Sequence, residues 1–267
     1  MTRNMFHAIR SRLAVLGVAL LTSCTSVANM TGDDTQSLNL QAQQQYGQVV
    51  THAMQRNMLV RSGADYDMVR TVLLRLEPFA DRANKTGVPF QWHLAVFKTS
   101  EINAWVMPGG LVGVYTGLID RLHLTEAETA AVLGHEMIHA LEEHAKEKAG
   151  EKTLSNLATL ALSAYAGSAA GAALGAASTM GVGLPFSRRL ETRADLGGMM
   201  LMAEAGYDPH AALSLWRKMA SLQGQAGKEG LAQFLSDHPN DADRQAAIEA
   251  ELPKAMTAYE QARTPAW

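Results

Sequence analysis

Cysteine is almost missing from this chain. Cys24 is the only one in 267 residues, so no disulfide can form within it, even in an oxidising compartment. A basic excess is missing too. The formal net charge is −3, and no stretch interleaves basic and aromatic residues, which argues against a nucleic-acid partner. No internal repeat is found, so a repeat array is excluded. Between Lys152 and Arg188 there is no charged residue and no histidine. That run is long enough to span a bilayer. Its hydrophobicity is diluted by Gly and Ser and interrupted by Asn156 and Tyr165, so a closely packed helix pair or a cover over a site is the better expectation. The length suits one domain with a substantial core.

The first residues carry a leader pattern. Arg3, Arg10 and Arg12 precede the apolar run Leu13 to Leu21, which is too short for a stable membrane span. Leu21-Thr22-Ser23-Cys24 has the form of a bacterial lipobox. Cys24 is therefore expected to carry lipid, with residues 1–23 as signal peptide and 24–38 as a flexible polar tether. Removing 1–23 takes away three arginines and no acids, which shifts the formal charge from −3 to −6. Thr25, not Asp, follows the cysteine. The expected location is the bacterial periplasm, anchored by acyl groups to the outer membrane.

Periodicity predicts helices over 39–62 and 65–84, then a small sheet from Pro89 to Phe97 and Ala104 to Tyr115 around a Pro108-Gly109-Gly110 turn. Thr125-Glu126-Ala127-Glu128 is a capping box opening a helix that should run to Gly150. Further helices are expected after Pro185, after Asp208-Pro209, over Leu231 to Leu235 and over Asp241 to Leu252. The tail 253–267 should pack weakly. The fold class is α+β and mainly α-helical, with one domain over 39–252.

Within the capped helix the chain reads His135-Glu136-Met137-Ile138-His139, an H-E-x-x-H. Residues i and i+4 share a helix face, so both imidazoles can address one metal ion. Zinc takes such ligands and leaves a position open for water, and Glu136 is placed to take that water's proton. A third ligand must come from elsewhere. Glu191 and Asp195 are also i and i+4. One carboxylate can bind the metal while the other accepts the free N–H of a ligating histidine. Alone, the pair would read as a surface ion-pair helix. Ligand type favours one Zn2+ per chain over cobalt or manganese.

These residues resemble a known family. H-E-x-x-H followed about fifty residues later by Glu191-Thr192-Arg193-Ala194-Asp195 is similar to the zinc metalloendopeptidases of the CAAX prenyl protease and HtpX superfamily, nearest to periplasmic lipoprotein proteases of the BepA and LoiP type. Asn103-Ala104-Trp105-Val106-Met107-Pro108-Gly109-Gly110, Ser187-Arg188, Gly206-Tyr207-Asp208-Pro209 and His238-Pro239-Asn240-Asp241-Ala242-Asp243-Arg244 match it in order. The likeness covers roughly residues 40–252. It implies a zincin-like (gluzincin) domain with a small sheet beside the active-site helix. It implies His135, His139 and Glu191 on zinc, Glu136 as general base, and Asp195 and Arg244 as supports. It also brings His238 to the metal, either as an oxyanion donor or as a fourth ligand holding the enzyme latent. Asn103, Ala104, Trp105, Gly109 and Gly110 would line the strand edge where an extended substrate adds.

The remaining histidines carry less. His144, five residues after His139, falls off the ligand face of a continuous helix and is expected in solvent. His93 lies in a strand-like run, His7 in the leader. His52, His123 and His210 carry no partner pattern. The leading functional reading is a zinc endopeptidase cleaving misfolded or unassembled envelope proteins. A periplasmic chaperone or assembly factor with a latent zinc site is the alternative, and a zinc exopeptidase is a third.

Overall fold

A computed structural model of the chain describes residues 24–166, 184–224, 238 and 242–264. The elements are α1 (Cys24–Thr31), α2 (Thr35–Gln55), β1 (Leu59–Val60), α3 (Ala64–Ala83), β2 (His93–Phe97), β3 (Ala104–Met107), β4 (Leu111–Tyr115), α4 (Thr116–Leu122), α5 (Glu126–Leu141), α6 (His144–Ala166), α7 (Leu184–Glu204), α8 (His210–Gly224) and α9 (Ala242–Arg263). They divide into two compact units, one of residues 1–38 and 145–184 and one of 39–144 and 185–267.

The larger unit is built on a four-stranded mixed sheet in the order β1-β2-β4-β3. β2 and β4 are parallel, with His93 beside Leu111 and Phe97 beside Tyr115. β3 and β4 form the hairpin expected from the sequence. Gly109 and Gly110 turn it at φ +86° and +94°, a region that residues with a Cβ rarely enter. β3 is left as an outer strand and packs against α5.

Helix α3 places Val69, Val72, Leu73, Leu76 and Ala80 on one stripe and lays it on α5. In α5 the box at Thr125 is complete. Its hydroxyl accepts the Glu128 N–H, and the Glu128 carboxylate accepts the Thr125 N–H. Almost every α5 residue from Glu128 to Leu141 is buried. This helix runs through the core, so its polar side chains must find partners there.

Four expectations change. The helix predicted over 39–62 starts earlier, at Thr35, and gives way after Gln55 to β1. The tether at 24–38 is helical. Val27 and Ala28 are buried, and Asp34 Oδ1 accepts the Gln36 and Ser37 N–H groups at the start of α2. In the same smaller unit, Lys146 Nζ donates to Thr35 Oγ1 at 2.9 Å. The capped helix does not run to Gly150. It stops at Leu141, because Glu143 takes a left-handed φ of +53° and turns the chain into α6. The tail does not hang loose. Helix α9 passes through Pro253 to Arg263, with Ala255 fully buried and Tyr259 packed on the core. Burial there outweighs the hydrogen bond that Pro253 cannot make.

The leader 1–23, the part of the uncharged run at 167–183, and the helix expected over Leu231 to Leu235 lie outside the described residues. Among the described residues, no helix is long and apolar enough to cross a membrane.

Candidate metal centre

Helices α5 and α7 cross at two glycines. A Cβ on Gly198 would lie 2.5 Å from the His135 nitrogen, and one on Gly134 would lie 2.7 Å from the Gly198 oxygen. Only bare backbone permits this approach. It brings the H-E-x-x-H face of α5 against the Glu191 and Asp195 face of α7.

The side chains then converge. His135, His139, Glu191 and His238 each offer one ligand atom, and these atoms lie within 4.8 Å of one another. His139 Nε2 is 3.1 Å from His135 Nε2. Glu191 Oε2 is 3.4 Å from His135 Nε2, and Oε1 is 3.5 Å from His139 Nε2. His238 Nδ1 is 3.2 Å from His135 Nε2 and 2.9 Å from Glu191 Oε2. Its Nε2 is 3.5 Å from Glu136 Oε1. Glu136 is itself buried beside His135.

Two features suit this cluster to a cation. Glu191 is 0% exposed, and its Oε1 makes no hydrogen bond although it faces imidazole nitrogens. Three imidazoles and a carboxylate are also the donor set that a borderline divalent ion takes. The charges agree. Burial opposes ionisation of Glu191, but the three surrounding imidazoles outweigh it and hold its carboxyl far below the ordinary range. Burial pushes His139 down to about 3 against the pull of Glu191, which leaves that ring neutral. Burial also works against charge on His135, yet Asp195 and Glu191 raise it to about 10. The site thus favours positive charge between its rings, and a divalent ion supplies it in place of a proton.

Asp195 and Arg244 sit behind this cluster. Asp195 Oδ1 accepts from His135 Nδ1 at 2.9 Å. Arg244 grips the same carboxylate with Nε at 2.6 Å and Nη2 at 2.8 Å, and its guanidinium lies 4.2 Å over the Trp216 ring. Burial raises the Asp195 carboxyl, but His135 and Arg244 overcome this and keep it below its ordinary value.

The strand residues divide by face. Ala104 is buried with Val106 beside the main core. Trp105 points the other way, onto Gly113, Tyr46 and Phe97, in a small aromatic cluster. Its ring is engaged in packing. Asn103 accepts the Tyr115 N–H through its carbonyl. A Cβ on Gly109 would meet Asn39, and one on Gly110 would meet Trp92.

His144 corrects the sequence expectation. It is 1% exposed, not solvated. The turn at Glu143 carries it back, so that its Nδ1 lies 2.8 Å from His139 Nδ1 and its Nε2 lies 3.2 Å from Glu142 Oε2. Arg193 in turn donates to Glu142 Oε2 at 2.6 Å. A histidine and a glutamate just beyond the motif were visible in the sequence. The left-handed break at a non-glycine residue was not.

Comparison with known proteins agrees with this geometry. A model of Peptidase family M48 matches residues 67–252. The mitochondrial metalloendopeptidase OMA1 of Schizosaccharomyces pombe is 39% identical over 171 residues, covering 64% of this chain and 49% of the relative. The metalloprotease LoiP of Escherichia coli is 28% identical over 250 residues, covering 88% of this chain and 94% of the relative. The metalloprotease YcaL of the same organism is 31% identical over 165 residues, covering 60% and 61%. The matched part of this chain spans about half or less of the OMA1 relatives from fission yeast, budding yeast (53%) and Arabidopsis thaliana (30%). A family model matching most of the chain, laid over a zincin-like site of an H-E-x-x-H helix and a facing carboxylate helix, leads to one conclusion: the chain belongs to peptidase family M48.

Proposed function

We propose that this protein is a zinc-dependent metalloendopeptidase of the bacterial cell envelope that cleaves misfolded or unassembled envelope proteins. The observation that carries the reading is the convergence of His135, His139 and Glu191 with Glu136 buried beside them. Those three side chains would hold one zinc ion. A zinc ion held there supplies a Lewis acid for the scissile carbonyl and lowers the pKa of water. Glu136 takes the proton from the attacking water and delivers it to the leaving amine. Asp195 holds His135 with Nε2 turned inward, and Arg244 fixes Asp195.

The outer strand β3 beside α5 is the edge to which an extended peptide adds through backbone hydrogen bonds. Asn103, Ala104 and Trp105 then present backbone to the substrate, while Gly109 and Gly110 shape the end of that strand. Such recognition reads main chain more than side chain, which suits unfolded clients. The lipobox ending at Cys24, the preceding leader and the likeness to LoiP and YcaL support an envelope location, with lipid on Cys24 and the outer membrane as anchor.

His238 lies as near the cluster as the other ligands lie to one another. That favours a latent resting site with His238 in the fourth position, and it keeps in view a chaperone that binds client strands without cutting them. Casein cleavage by wild type, Glu136→Gln and His238→Ala separates these cases. Glu136→Gln is expected to retain zinc and lose cleavage by about a hundredfold or more. Undiminished cleavage by this variant would overturn the assignment of the base. Activity rising in His238→Ala would establish latency. Zinc without cleavage in every variant would support the chaperone.

A further inference from the structure

The two histidines of the motif are backed differently. His135 Nδ1 meets the Asp195 carboxylate directly, and Arg244 holds that carboxylate. Among the described residues, no carboxylate is found against His139 Nδ1. It meets a second imidazole, that of His144, at 2.8 Å. His144 passes on through Nε2 to Glu142 Oε2 at 3.2 Å, and Arg193 holds Glu142 at 2.6 Å. Arg193 and Asp195 sit two residues apart on α7, so one helix anchors both arrangements.

With one proton on each ring, hydrogen-bond polarity fixes where those protons lie. Glu142, ionised against Arg193, only accepts, so His144 presents N–H at Nε2 and, carrying one proton, a lone pair at Nδ1. That lone pair can be satisfied only by an N–H on His139 Nδ1. The lone pair of His139 is then left at Nε2, the atom that faces His135 Nε2 and Glu191 Oε1. Chain geometry makes the contact possible. The left-handed Glu143 returns His144 against the preceding turn, and the His144 ring is buried there.

The geometry points to His144 as a positioning residue of the metal centre, fixing the tautomer and ring plane of His139 through a relay that ends on Glu142 and Arg193. This rests on the zinc reading given above. His144 takes no part in the reaction. It acts through His139, as Asp195 acts through His135.

Zn2+ affinity of the full chain, measured by chelator competition, tests the relay. His144→Phe keeps a buried ring but offers no acceptor. It is expected to weaken Zn2+ binding about 10- to 100-fold. His144→Asn places an amide oxygen close to the position of Nδ1 and should recover most of that loss. Glu142→Leu alters a side chain that is 35% exposed, so the fold should survive. A smaller loss, about tenfold or less, is expected because the change lies one link further out. Long-range proton–nitrogen NMR of the zinc-loaded chain should show hydrogen on His139 Nδ1 and on His144 Nε2. Wild-type affinity in His144→Phe, or hydrogen on His144 Nδ1, would overturn the relay while leaving the metal site standing. Failure of the wild type to bind Zn2+ would overturn the metal reading, and the relay with it.

Discussion

Asp195 serves two partners at once, and this explains why a carboxylate is used there. One oxygen takes the His135 N–H and both take the Arg244 guanidinium. An asparagine could still accept from His135. Its amide nitrogen would face a guanidinium with two donors opposed. Asp195→Asn is therefore expected to weaken Zn2+ binding roughly tenfold or more without removing a ligand, as chelator competition would show. An unchanged affinity would mean that His135 is oriented by packing alone. At this scale the sequence was informative where spacing alone decides geometry. His135, His139, Glu191 and Asp195 stand at i and i+4 on two helices, and each pair shares a face whatever surrounds it. His144 was misread because its place depends on one backbone angle, the left-handed φ of Glu143, for which no glycine or asparagine gave warning. The face taken by the Trp105 ring was not legible, for another reason. Alternation along β3 sends it to the aromatic face on Gly113, and which face is which depends on the partner strand.

The capped start of α5 is anchored to a second helix. Glu128 accepts from the Thr125 N–H at 2.8 Å, from Ser214 at 2.6 Å and from Lys218 at 2.6 Å, joining α5 to α8. Burial opposes its ionisation, yet Lys218, Ser214 and Thr125 prevail and hold the carboxyl below its ordinary value. A group lowered on folding contributes stability above its unfolded value, near 4.5, and loses it as pH falls through the folded value. Glu128→Gln should therefore destabilise the chain by about 1–3 kcal/mol at pH 7 in urea unfolding. The gap to wild type should close in acid. A gap that stays constant to low pH would show that the carboxylate charge contributes nothing. The box itself was legible, since Thr and Glu three residues apart state it outright. Its links to Ser214 and Lys218 were not, because they depend on how α8 docks. Nor was the helix crossing at Gly134 and Gly198, since neither glycine marks a turn.

Across the whole chain the site belongs to the larger unit alone, whose two helices and late histidine come from stretches far apart in sequence. The α+β class and a small sheet were readable from periodicity, and the place of that sheet beside the motif helix from the family resemblance. The ends were not. Residues 24–38 and 253–263 look polar enough for solvent, yet both are mostly helical, with Val27 and Ala28 buried in the first and Ala255 in the second. Composition averages over a segment, whereas docking needs only one face.

The most direct test is casein cleavage by the His238→Ala chain, freed of the latency proposed for His238, as its metal is stripped by chelator and then restored with Zn2+, with zinc content measured on the same samples. Activity should vanish on stripping, return in proportion to added Zn2+, and reach its plateau at about one zinc per chain. Cleavage that persists in zinc-free samples would contradict the account.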